Sequence, residues 1–315
     1  MYVLRGLAVS LEIFLLVYVC LSMAVAACAN KLLACARRFS PAKSASLLFL
    51  VRTMPLLASL AITACFTVPS FLRFEPHATD EPIGVLAIVL SFAGLALIAS
   101  GTVRAAFASR RTSRQVAAWV NSSNHVKIYG GVPAFSTQKS APALAVSGIR
   151  SPKLLISSVA SAEFTDDEMR AAVSHELAHI RCRDNLKKAL LCLCVFPGMS
   201  KIERAWTEAA EMAADNAAVS SEREALDLAS ALIKISRLAP VARTPELAMS
   251  LVPDSSSVGD RVQRLLAWKE PNATRQCKRG LCAGISLTIL AAALATITYP
   301  PALGYMHTLT EMLIR

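Results

Sequence analysis

Charge is scarce in this chain. Only 17% of its 315 residues are Asp, Glu, Lys or Arg, and mean hydropathy is +0.48. So little polar surface argues against a purely soluble protein. The sequence also lacks a phosphate-binding glycine loop, a heptad seam and an internal repeat. Nine cysteines include no metal-type C-x-x-C pair, and their number is odd. Cys20, Cys28, Cys65, Cys192 and Cys194 fall inside apolar segments, so buried reduced thiols are expected instead of a disulfide framework. The formal charge of +11 comes with no basic face or recognition motif for nucleic acid. No nucleic-acid partner is expected. The Lys and Arg residues cluster beside apolar runs, where they set membrane orientation.

Four apolar stretches have roughly the 20 residues a helix needs to span hydrocarbon. They are about 7–29, 50–69, 83–103 and 281–299. Arg52 lies near one end of the second, where its stem can snorkel. Lys31, Arg37, Arg38 and Lys43 fill the first connection, whereas the second carries Arg73 against Glu75, Asp80 and Glu81. Arg104, Arg110, Arg111 and Arg114 follow the third stretch, and Arg275, Lys278 and Arg279 precede the fourth. The positive-inside rule then puts the N-terminus outside and 104–280 in the cytoplasm. The basic neighbours of "RTSR" (111–114) are expected to anchor on membrane lipid. "VAAC" at 25–28 has the look of a lipoprotein cleavage box, but Glu12 interrupts the apolar core before it and a basic loop follows at once. The run 189–199, "ALLCLCVFPGM", is only about half a span long and is expected to enter the membrane and return at most.

Three parts follow: a membrane region at 1–114, a mixed region at 115–275, and a last span with a short outer tail at 276–315. The expected fold class is membrane α-helical plus α+β, with about four transmembrane helices around a mainly helical region and a small sheet. Short β-type runs at 125–130, 142–148 and 153–158 supply the sheet. Next comes "TDDEMRAAVSHELAHIRCRDNL". Thr165 stands three residues ahead of Glu168, a capping-box spelling, and Met169, Ala172, Val173, Leu177 and Ile180 recur at helical spacing.

That helix carries H-E-x-x-H at 175–179. Residues four apart share a helix face, so His175 and His179 can both offer a nitrogen to one tetrahedral zinc. Glu176, beside them, can take the proton of a zinc-activated water. Short motifs match by accident, but the capped helix and a total of five histidines weigh against coincidence here. Catalytic zinc usually has three protein ligands. A second helix, 201–224, presents Glu208, Glu211 and Asp215 on neighbouring turns, with small alanines around Glu211 that permit close approach. His125 opens a β-type run and is expected to be exposed or satisfied. His77 and His307 fall in outer segments, away from the site.

"HELAHIRCRD" followed by "EMAAD" resembles the integral-membrane gluzincin metallopeptidases, most nearly the BlaR/MecR-type antirepressor family and more distantly the HtpX and CAAX-protease group. "GIRSPKLLISS" (148–158), "FTDDEMRAAVSHELAH" (164–179) and "GDRVQRLL" (259–266) are similar to further segments of the antirepressor family. The likeness spans roughly residues 140–270. It implies a zinc endopeptidase in which His175, His179 and Glu211 bind the metal and Glu176 is the base. It implies that Asp215 orients a ligand histidine. It also implies that a peptide pairs along the strand holding Leu154, Leu155 and Ile156. Glu208 is the reserve ligand. The family implies a bacterial inner membrane, a cytoplasmic catalytic region and a substrate such as a cytosolic transcriptional repressor. The tail after the fourth span is too short to fold as the family's outer sensor. "VPDSSSVGDR" lacks the histidine of the His-Pro pair found in the HtpX group. The alternative function is a membrane signalling receptor or scaffold that keeps the fold and cuts nothing.

Overall fold

The computed structural model describes residues 2–76, 83–121, 124–137, 142–237, 249–250, 258–269 and 300–314. The expected span at 281–299, His77, and most of the polar loop at 240–257 lie outside these residues.

The N-terminal third is helical. Helix α1 is Tyr2–Ala27, α2 is Ala29–Ala36 and α3 is Pro41–Ile62; a π-helical turn, Thr63–Thr67, leads into α4, Val68–Phe74. The wider turn falls just before Pro69, whose ring would otherwise press on the carbonyl four residues back. Helix α5 runs unbroken from Val85 to Asn121, beyond the boundary drawn at 114. Among the described residues, three stretches are long and apolar enough to cross a membrane: Tyr2–Ala27, Pro41–Phe74 and Val85–Asn121. Their outward faces hold Leu57, Leu60, Val85, Val89, Phe92 and Leu95, all exposed, as a lipid-facing surface requires. Small residues bring α1 and α5 together. A Cβ added at Gly94 would lie 2.7 Å from the Leu11 carbonyl oxygen, and Ser91 Oγ donates to the Ala8 carbonyl at 2.8 Å.

A five-stranded sheet follows, built from β1 (Asn124–Tyr129), β2 (Val132–Thr137), β3 (Leu144–Ser147), β4 (Lys153–Ser157) and the two-residue β5 (Met249–Ser250). Its order is β1-β2-β4-β3-β5, with β2 parallel to β4 and the other pairs antiparallel. Gly130 and Gly131, with φ of 54° and 81°, make the two-residue β1–β2 turn that demands positive φ twice. The sheet does not present β4 as the peptide-pairing edge that the family resemblance implies. Strand β4 is interior, its backbone taken up by β2 on one side and β3 on the other. Leu154, Leu155 and Ile156 are buried, as a run apolar on both faces should be.

The remaining helices are α6 (Ser158–Glu163), α7 (Asp166–Cys182), α8 (Asp184–Leu193), α9 (Ser200–Ala218), α10 (Glu222–Arg237), α11 (Val258–Leu266) and α12 (Pro300–Ile314). The helix expected over 201–224 is therefore two. Ser220 and Ser221 interrupt it and cap the second, Ser221 Oγ accepting from the Glu224 amide at 3.3 Å. The sheet, α7, α10 and α11 share one apolar core around Leu144, Leu154, Val173, Leu228 and Leu232. A second core joins α3 to α9 through Leu48, Ala45, Ile202, Trp206 and Ala209. Each large side chain so buried contributes about 1.5–3 kcal/mol. Helix α9 is thus held against the membrane helices at its start. Farther along, it turns Glu211 and Asp215 towards α7.

The seven described cysteines are free, and only Cys194 is buried; Cys20, Cys28, Cys35 and Cys182 are exposed. The expectation of burial fails for Cys20 and Cys28 because an apolar stretch in a membrane turns some of its residues to lipid.

Candidate metal centre

Helix α7 starts where its sequence says it should. The Glu168 amide donates to Thr165 Oγ1 at 3.3 Å, and the Thr165 amide donates to Glu168 Oε2 at 2.8 Å, closing the capping box. The apolar side buries Ala172 and Val173 in the sheet core, which turns His175, Glu176 and His179 inward towards α9. All three are buried, together with Glu211 and Asp215. Glu208 is exposed on α9 and stands outside the cluster.

The donor atoms converge. The two histidine Nε2 atoms lie 3.2 Å apart; His175 Nε2 is 3.4 Å from Glu211 Oε2, and His179 Nε2 is 3.6 Å from Glu211 Oε1. Tetrahedral zinc with bonds of about 2.0–2.2 Å has donor-to-donor edges of about 3.3–3.6 Å. Among the described residues, His175, His179 and Glu211 form one of two clusters whose ligand atoms could share an ion. The other joins Glu75, His307 and Glu311, with a single histidine and with the guanidinium of Arg5 3.1 Å from Glu75 Oε1.

The far nitrogens of both rings are taken. His175 Nδ1 is 3.0 Å from Asp215 Oδ1, and His179 Nδ1 is 2.8 Å from Asp184 Oδ2. His179 Nδ1 is hydrogen-bonded to Asp184 and His175 Nδ1 faces Asp215, so each carboxylate favours a proton on Nδ1 and leaves the Nε2 lone pair turned inward. Those lone pairs and the Glu211 carboxylate point at one another, so a cation placed among them would relieve their repulsion. The residues fit a divalent cation on that ground. Arg261 of α11 braces the other side, giving Asp215 two hydrogen bonds at 2.9 and 2.6 Å and placing Nη1 3.1 Å from Glu211 Oε2.

Titration follows the same geometry. Burial alone would lower the His175 pKa, but the hydrogen bonds to Asp215 and Glu211 outweigh it and push the ring up to about 9. Without metal, a proton held by His175 supplies the missing positive charge. Burial pushes Glu176 up to about 8, against the smaller pull of the His175 charge. Burial also works to raise Glu211 and Asp215. The charge of His179 on Glu211, and for Asp215 the His175 hydrogen bond followed by Arg261, hold both carboxyls below their usual range.

Asp184 is the residue that motif reading passed over. It sits five residues after His179, a separation no straight helix turns back on itself. Arg183, among the described residues the non-glycine one with positive φ (55°), ends α7 and starts α8, and this kink returns Asp184 to the His179 ring. Its other oxygen accepts from Lys187 Nζ at 2.9 Å. Lys188, one residue on, feels the carboxylates of Glu211, Asp184 and Glu176, which partly offset the lowering that burial imposes on its ammonium.

Two histidines and a glutamate from separate helices, each histidine backed by a carboxylate, describe a metallopeptidase-type centre. The BlaR1 peptidase M56 family model matches residues 61–265, well over half the chain. The chain belongs to that family. The match runs from the second membrane stretch through the H-E-x-x-H helix and Glu211 to Arg261 on α11. Membership makes this a membrane-associated protein of the metallopeptidase type. None of the curated proteins searched matches it.

Proposed function

We propose that this chain is an integral membrane zinc endopeptidase whose catalytic region faces the cytoplasm. The observation that carries the reading is the convergence of His175 Nε2, His179 Nε2 and the Glu211 carboxylate, each ring fixed from behind by an aspartate. His175, His179 and Glu211 would hold the ion. Zinc, when bound, polarises a carbonyl and acidifies water towards neutral pH.

Glu176 does the proton work. Its carboxylate oxygens are buried. A cation bound beside it favours the ionised form that burial otherwise disfavours. It takes a proton from the attacking water on one oxygen and delivers it to the leaving amine nitrogen. Asp215 and Asp184 keep the imidazoles in the tautomer that leaves Nε2 free.

A peptide substrate would pair with β3 in place of the interior β4. Strand β3 packs against α7, and the backbone of Val146 acts on the Glu176 carboxyl. Met249–Ser250 hold the outer edge of β3 at Ala145 and Val146, so a substrate must displace that segment or pair beyond it. The positive segments at 31–43 and 104–114 support a cytoplasmic catalytic side. A cytosolic regulator, such as a transcriptional repressor, is the substrate class that fits this placement and the family.

The test pairs wild type with Glu176→Gln in detergent micelles, each given a proteome-derived peptide library and read by mass spectrometry. Wild type should cut peptide bonds, and the variant should lose about 10²–10⁴-fold in rate while keeping its zinc. Equal cleavage by both, or none by zinc-loaded wild type, would reject the peptidase reading and favour the scaffold.

A further inference from the structure

The connector Cys194–Met199 joins the helix that carries Asp184 to the helix that carries Glu211. It does not cross to the far side of the membrane helices, since both residues meet at one cluster. Instead it is gripped by them. Arg52 of α3 points inward, not to the interface where a snorkelling side chain would end, and is only 2% exposed. Its Nη2 donates to the Cys194 carbonyl, and its Nε donates to Glu203 Oε1 at 2.7 Å. Glu203 stands in the first turn of α9, two turns ahead of Glu211 on the same helix. Tyr18 of α1 donates its hydroxyl to the Val195 carbonyl at 3.0 Å and meets the Phe196 ring edge-on. On α5, a Cβ added at Gly101 would come within 2.6 Å of the Leu193 carbonyl oxygen. All three membrane stretches therefore reach residues 193–196.

Carbonyls past a helix end have no partner within the helix, and here Arg52 and Tyr18 supply donors. Tyr18 needs only one direction. The guanidinium of Arg52 is planar, and its fork fixes the end of α8 relative to the start of α9. An apolar side chain of similar size can be as stabilising as a buried charge. What the arginine adds is a defined geometry between two helices that both serve the candidate metal centre.

We propose that Arg52 is a positioning residue for the metal site, holding α9, and with it Glu211, in register with α8 and Asp184. The proposal rests on the zinc reading above. Its experiment uses the full chain in detergent and compares wild type with Arg52→Met, Arg52→Lys and Leu48→Ala. Leu48 shares the α3–α9 core but makes no polar contact with the connector, so it reports loss of packing alone. Zinc affinity is measured by chelator competition, Tm by thermal unfolding, and α9 mobility by amide exchange over residues 204–212 without metal.

Arg52→Met should weaken zinc about tenfold, at the low end for residues that support ligands indirectly, and should speed amide exchange in α9 with Tm nearly unchanged. Arg52→Lys should recover part of both, since an ammonium can keep Glu203 but not both partners. Leu48→Ala should lower Tm with little change in zinc affinity. Wild-type behaviour of Arg52→Met, or zinc affinity that simply tracks Tm across all variants, overturns the proposal. If wild type binds no zinc, the zinc reading fails by itself. Amide exchange then decides about Arg52, and an unchanged α9 in Arg52→Met rejects its role.

Discussion

His179 Nδ1 lies 2.8 Å from Asp184 Oδ2, a contact that bridges the break between α7 and α8. The histidine and its support belong to different helices only because Arg183 takes up a left-handed backbone between them. Asp184→Ala removes the acceptor that fixes the tautomer and orientation of the ring. Zinc affinity should fall about 10–100-fold, read by chelator competition at fixed pH. Unchanged affinity would show that the ring is held by packing alone.

Arg261 is 1% exposed and faces both Asp215 and Glu211. Arg261→Met leaves those buried carboxylates with less positive charge around them. The metal-free protein should lose about 3–5 kcal/mol, the usual cost of breaking a buried pair from one side. Added zinc should return part of that stability, because a bound cation restores charge at the same place. Denaturant unfolding with and without zinc checks both halves.

The acidity of His175 sets a pH dependence. Its pKa rises from an ordinary 6.5 to about 9 in the folded, metal-free protein. A raised value means that the folded state binds the proton more tightly than the unfolded chain does. The resulting stability is complete below about 6.5 and is lost as pH climbs through about 9. Zinc must displace that proton, so its apparent affinity should rise about tenfold per pH unit over this window. Titration calorimetry in buffers of different ionisation enthalpy would count the proton released. Affinity independent of pH between 6.5 and 9 would contradict the assignment.

Thr165→Ala opens the capping box without touching the cluster. Stability should drop by about 1 kcal/mol, with zinc affinity unchanged once the protein is folded.

Local signals made α7 legible. A capping box, a 3.6-residue apolar repeat and two histidines four apart all point to the same helix, and the structure has that helix from Asp166 to Cys182. Alanines around Glu211 mark the face of α9 that can approach α7, but the choice of Glu211 over Glu208 and the role of Asp215 come from the family resemblance. Asp184 was invisible, because spacing rules assume a continuous helix and the kink at Arg183 has no glycine to announce it. Strand β2 contains Pro133, a residue that argues against a strand interior, yet it pairs with β1 opposite Ile128. The run "KLLIS" was legible as a strand. Its interior place depends on pairing with β2 and β3, which is long-range information. The break between α9 and α10 was written in the Ser220–Ser221 pair and could have been read from it. Arg52 shows the limit most clearly. Sequence proximity to a span end implied snorkelling, whereas the partner that turns it inward lies about 150 residues away, at Glu203.

A metal held by three side chains from two helices is the centre of the proposed chemistry. Zinc per chain, measured in detergent-purified wild type beside Glu211→Ala, tests this most directly. About one zinc in wild type, greatly weakened in Glu211→Ala, is the expected result. Full zinc in the variant would remove Glu211 from the site. A folded wild type that binds no zinc when metal is supplied would contradict the account.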